Sequence, residues 1–361
     1  MIPPAARRAA LRCGLASFGL HALAAAVFLA IADFKPEYFV MFGVQAPSWP
    51  VAQAVLGPDV PARGGYGHDG KEFWLLARDP ALRGGPELAR RLDRPAYRAQ
   101  RILYPALAAP WRLAGERALV WGLLATNLVA VGFGGYLAAL LAMQTGAPVW
   151  AGMAFALNPA VFVTVIHDGC DVVALTALLS CLLLLTRGKT GGAVGAGALA
   201  TLAKEASLLS LGGVALLAPG LSRRTRVLIV AVPVAAALAW GAYARWRLGW
   251  PETAIREFTP PFAGYVETLR RGTLPFGLLL PPLAGYTLWL WWRRRSLLLA
   301  AAVPYALIVP FLSPNVLGYT TGVLRAFGPG LTLLAIELLR GRGARRGTVE
   351  TLPEAHLTDL Q

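Results

Sequence analysis

A carboxylate set between glycines is the first feature of this chain that could do chemistry. Tyr66-Gly-His-Asp-Gly70 puts His68 beside Asp69, and Lys71-Glu-Phe-Trp-Leu-Leu-Ala-Arg-Asp79-Pro80 follows at once. A positioned carboxylate can take the proton of an attacking hydroxyl, help typically worth about 10²–10⁴ in rate. Asp69 with Glu72 three residues on also fits a capping box that opens a helix. A second set, His167-Asp168-Gly-Cys-Asp171, offers an imidazole and two carboxylates. A helical start would bring His167, Asp168 and Asp171 to one face, suited to an acceptor's hydroxyls or a divalent cation. Asp171 also fits the N-cap of the apolar run behind it. Two carboxylates and one imidazole make a thin metal site, so no metal or cofactor is expected to be obligatory. A chelator should therefore leave activity intact; loss restored by magnesium or manganese would overturn this.

Cations stand apart from these acids. Lys204-Glu205 interrupts an apolar stretch, Arg325 lies in another, and Arg101 sits in Pro95-Ala-Tyr-Arg-Ala-Gln-Arg-Ile-Leu-Tyr-Pro105. Arg325 reads either as a phosphate partner, for which guanidinium is suited, or as an interfacial arginine that snorkels. Lys204 and Glu205 read either as ligands or as a mutual pair that makes a charged tip tolerable. Tyr97 and Tyr104 could stack on sugar or isoprenoid, or belong to an aromatic belt.

The elements that must position these residues are apolar. The 361 residues are 56% hydrophobic and 15% charged, which excludes an ordinary soluble domain. Crossings of about 20 residues are expected at 13–32, 118–142, 148–166, 172–186, 227–247, 274–292, 296–312 and 320–339. The stretch 191–220 would bury Lys204-Glu205 in mid-bilayer as one span. Read as a hairpin of 191–203 and 206–220, with arms of about 20 Å, it puts the charged pair at a tip. It also places the clusters Arg7/Arg8/Arg12, Arg187/Lys189, Arg223/Arg224/Arg226, Arg293–Arg295 and Arg340/Arg342/Arg345/Arg346 on the cytoplasmic side. Arg245, Arg247, Arg270 and Arg271 count against it. The fold expected is all-α: a polytopic transmembrane bundle of about ten hydrophobic helices, two forming the short hairpin. Residues 1–340 make a single domain with both termini cytoplasmic, and 341–361 a polar tail. The first extracytoplasmic loop, 33–117, is large; Phe73, Trp74, Leu76 and Ala77 suit a short helix lying at the interface.

The formal charge of +15 is explained by that topology, so no nucleic-acid partner is expected. Cys13, Cys170 and Cys181 form no CxxC pair and give no disulfide or metal framework. The Arg-rich start lacks a small-residue cleavage site and reads as a first anchor.

Taken in order, the Tyr-x-His-Asp-Gly motif, the aromatic/Arg-Ile-Leu-Tyr-Pro segment, Ala203-Lys204-Glu205-Ala206-Ser207 and Leu324-Arg325-Ala-Phe-Gly-Pro329 resemble the GT-C glycosyltransferases. The likeness is nearest to their GPI mannosyltransferase-like and related bacterial branches, with His68 where many relatives carry Tyr or Trp. It implies transfer of a sugar from a polyprenyl-phosphate donor to a glycan or lipid acceptor at the extracytoplasmic face. By resemblance, Asp69 is the base. Arg325, Lys204 and Arg101 are candidates for the donor phosphate, with His68, Asp79, Tyr97, Tyr104, His167, Asp168, Asp171 and Glu205 supporting. The alternative is a membrane transporter, flippase or non-enzymatic assembly factor for cell-surface glycopolymer. A transporter would place charge near the midplane in two related halves, whereas here the polar clusters lie toward one face. The Ala/Arg/Gly-rich composition suggests a bacterial cytoplasmic membrane, with membrane lipids as partners.

Overall fold

The computed structural model describes residues 4–250, 258–273 and 276–340; the expected tail at 341–361 lies outside them. Among the described residues the chain is helical throughout, with three isolated bridges (Phe42 with Gly67, Gly43 with Arg63, Phe258 with Leu312) in place of any strand. Pro4–Ile31, Glu116–Gln144, Arg223–Arg247 and Thr320–Leu338 are long and apolar enough to cross a membrane. Shorter apolar helices run over Asp171–Thr186, Thr190–Ala203, Ser207–Leu217 and Leu297–Phe311, and Leu280–Arg294 is helical as well. The chain is a helical membrane protein.

The segment 148–166, expected as one crossing, is a pair of helices, Val149–Ala156 and Pro159–Ile166, bent by 46°. Pro159 has no N–H to continue the ladder, and Asn158 caps the second helix by accepting from the Ala160 N–H. The Asn158 amide is buried and donates to Gly328 O (2.7 Å) and Thr332 Oγ1 (2.8 Å), tying this break to the last helix.

The hairpin is present. Ser207 Oγ donates to Ala200 O across it, and a Cβ on Gly197 would touch Leu211. Both feet meet the start of Arg223–Arg247: Thr190 lies beside Thr225, and Arg226 donates to Ala215 O and Ala218 O. The tip, Lys204–Ala206, therefore lies at the opposite end of the bundle. Glu337, fully buried, marks the foot end, where Arg294, Ser296 and Arg340 all bond its carboxylate.

The helix that carries Phe73, Trp74, Leu76 and Ala77 does not lie on a surface. In Gly70–Arg78 every residue from Gly70 to Ala77 is buried, including Lys71 and Glu72. The loop has a core of its own, built from Phe42, Trp74, Leu76, Leu82, Leu92 and Tyr104 against Leu119 and Leu123 of the second long helix. Trp74 meets Phe42 edge-on (5.2 Å) and Phe73 meets Tyr104 (5.4 Å). Short range reads one apolar face on this helix; the folded loop covers both.

Two glycines fix where Asp69 sits. Gly67 adopts φ +73 and crosses residues 41–43 so closely that a Cβ would come within 2.2 Å of Met41 O. At Gly70 a Cβ would meet Val40 O at 2.7 Å and His167 O at 2.9 Å. Only glycine allows that left-handed turn and those backbone approaches.

Candidate functional site

Asp69 ends the turn that these glycines create and its backbone occupies the N-cap position of Gly70–Arg78, but its side chain makes no cap bond. The capping-box expectation fails because the carboxylate has stronger partners. Its Oδ1 accepts from Arg98 Nη1 (2.8 Å) and its Oδ2 forms an ion pair with Arg325 Nη1 (2.9 Å). Arg325 also holds Asp171 (2.8 Å), which Lys204 grips from its other side. Asp171 therefore does not act as an N-cap; Cys170 holds that place without a side-chain bond. Lys204 and Glu205 do not pair with each other either. Glu205 takes both Nε (2.9 Å) and Nη2 (2.6 Å) of Arg101, whose guanidinium also bonds the Tyr97 hydroxyl and lies over that ring at 4.2 Å.

Asp69, Arg98, Arg101, Asp171, Lys204, Glu205 and Arg325 all border one cavity of about 620 Å³. They come from five separate parts of the chain. Leu175, Leu178, Leu208, Leu209, Ile308 and Leu312 border the same cavity. Charged and aliphatic side chains thus line one space.

Five cations (Lys71, Arg98, Arg101, Lys204, Arg325) stand against five anions (Asp69, Glu72, Asp93, Asp171, Glu205) in this network and its neighbours. Burial opposes the charge on Asp69, but the Arg98 and Arg325 guanidiniums outweigh it and hold the carboxyl well below the usual range. Glu205 is likewise lowered, burial being overcome by Arg101. Ionised carboxylates are the result.

Other expected site residues lie elsewhere. Asp79 accepts from the Gly84 N–H (2.7 Å) and closes a turn. Asp168 and Tyr104 are fully buried behind the site, and Asn127 donates to the Tyr104 hydroxyl, which donates to Leu123 O. Burial pushes the Asp168 carboxyl well above its usual value. Residues 167–170 do not begin a helix, because Asp168 takes φ +43; Asp168 and Asp171 consequently diverge and do not share a face. His68 and His167 meet with their rings tilted by 45°, centroids 4.1 Å apart, outside the cavity lining. No cluster of three or more His, Cys, Asp or Glu among the described residues is arranged around a metal position.

Both imidazoles are pushed down by burial, with Arg325 adding to it, and His167 falls to about 3. Between that value and the ordinary 6.5 the unfolded chain binds protons that the folded one does not, so stability rises with pH there. The melting temperature should fall as pH is lowered from 7 to 5, and His167→Gln should flatten that slope. A variant as steep as the wild type would contradict this origin.

Sequence reasoning passed over Arg98, the residue that joins Asp69 to Asp93 (2.8 and 2.9 Å). It was visible as an arginine four residues after Arg94 and one after Tyr97, but nothing local named its partner. Arg245 was set aside as a topological misfit; it also borders the cavity.

No family model, curated protein or solved structure matches this chain.

Proposed function

We propose that this protein is a membrane glycosyltransferase of the GT-C kind, moving a sugar from a polyprenyl-phosphate donor to a cell-surface glycan or lipid acceptor. In this reading the helices make about ten crossings, the termini are cytoplasmic, the cavity opens on the extracytoplasmic side, and the membrane is a bacterial cytoplasmic one. The observation that carries it is one cavity bordered by the Asp69 carboxylate with its two arginines, by Lys204 with Asp171, and by aliphatic side chains. That combination suits a reactant with an anionic head and a hydrocarbon tail.

The acceptor oxygen attacks the anomeric carbon, the bond from that carbon to the phosphate oxygen breaks, and the acceptor's proton passes to Asp69. The charge left on the polyprenyl phosphate is met by the cations of the cavity. Asp69 is ionised, as a base must be, yet two guanidiniums depress its basicity. A donor phosphate that draws Arg325 toward itself loosens one of them and makes Asp69 a better base as the donor binds.

Purified protein incubated with radiolabelled polyprenyl-phosphate hexoses and a membrane extract as acceptor should transfer label. Absence of transfer from every hexose, with donor binding intact, counts against the enzyme and favours a carrier or assembly role.

A further inference from the structure

Among the described residues, the cations that border the cavity are Arg94, Arg98, Arg101, Lys204, Arg245 and Arg325. Arg98, Arg101, Lys204 and Arg325 are each committed to at least one carboxylate of the same network. An entering phosphate monoester that takes one of them must strip a carboxylate of its counter-charge, and an uncompensated buried charge is costly. Arg245 has no ion pair in that network, and it is a half-buried residue that borders the cavity.

Arg245 is also well held. It lies in the last turn of Arg223–Arg247, and this end of the helix is fastened to the first loop at three points. Trp240 Nε1 donates to Ala99 O (2.7 Å), the Tyr243 hydroxyl to Ala81 O (2.7 Å) and Arg247 Nε to Leu82 O (3.1 Å). A rigid backbone carrying an uncommitted arginine at a cavity that also has aliphatic lining is a preorganised partner for an anionic head group.

We infer that Arg245 is the residue that binds the phosphate of the lipid-linked donor in the cavity. This rests on the donor class proposed above. Arg325 then serves chiefly to hold Asp69 and Asp171 in place and reaches the phosphate second. Because Arg245 gives up no ion pair, the phosphate's contact with it opposes no existing attraction. A charge-assisted arginine–phosphate contact of this kind is worth about tenfold to a hundredfold in affinity.

The competing role for Arg245 is that of a cation at a helix C-terminus, where it stabilises the helix through the backbone carbonyls. That role moves the melting temperature and leaves ligand discrimination alone. The test is equilibrium binding of radiolabelled farnesyl phosphate and farnesol to the full chain in detergent, for wild type, Arg245→Ala and Arg245→Lys. Wild type should prefer the phosphate by about tenfold or more. Arg245→Ala should lose that preference with farnesol binding unchanged, and Arg245→Lys should keep part of it. A preference that survives Arg245→Ala overturns this assignment while the proposed donor class stands. No preference in the wild type removes the donor class itself, and this inference with it.

Discussion

Asp69→Asn should lower sugar transfer by about 10²–10⁴ while leaving a folded protein. Asparagine keeps the shape of the side chain and one acceptor oxygen, but it cannot take the acceptor's proton. The fold survives because neither arginine is abandoned: Arg98 retains Asp93, and Arg325 retains Asp171. The assay is turnover of labelled donor by purified variant and wild type, with thermal unfolding recorded in parallel. Turnover equal to wild type would remove Asp69 from the chemistry. A collapse of folding with the turnover would instead show that its charge is needed structurally, and Asp69→Glu would then separate the two roles.

Arg98→Ala should have the largest effect on stability, about 3–5 kcal/mol. Its side chain is 6% exposed and its guanidinium joins Asp69 to Asp93. Removal leaves two carboxylates sharing the remaining cations, Lys71 at 3.9 Å from Asp93 and Arg325 at 2.9 Å from Asp69. Arg98→Lys should recover part of the loss, since it restores the charge without the planar fork that serves both acids at once. Denaturant unfolding in detergent measures it. A cost below about 1 kcal/mol, the range of an exposed pair, would mean that the network is solvated and does not organise the site.

Arg98 and Arg245 show where local reasoning stops. Arg98 announced no partner because Asp69 lies 29 residues back in the chain, and Arg245 drew attention only as a misfit to the topology because the cavity it borders is assembled from distant segments. Asp69 and Asp171 failed in the opposite sense. Their spacing fitted helix capping, and in isolation a capping bond is what a free carboxylate would make. Once the arginines arrive from distant segments, a charged pair outcompetes the cap.

The helices and the charged hairpin tip were written in the sequence, because apolar length and the cost of placing Lys204-Glu205 in hydrocarbon act through neighbours along the chain. Asp69 itself was legible as a candidate base from the glycines around it. The burial of Gly70–Arg78, the bend at Asn158-Pro159 and the choice of which acid meets which arginine belong to the tertiary structure alone. Each depends on surfaces brought together from far apart in the sequence, and ion pairing and two-sided packing respond to distance in space, which the order of residues does not encode.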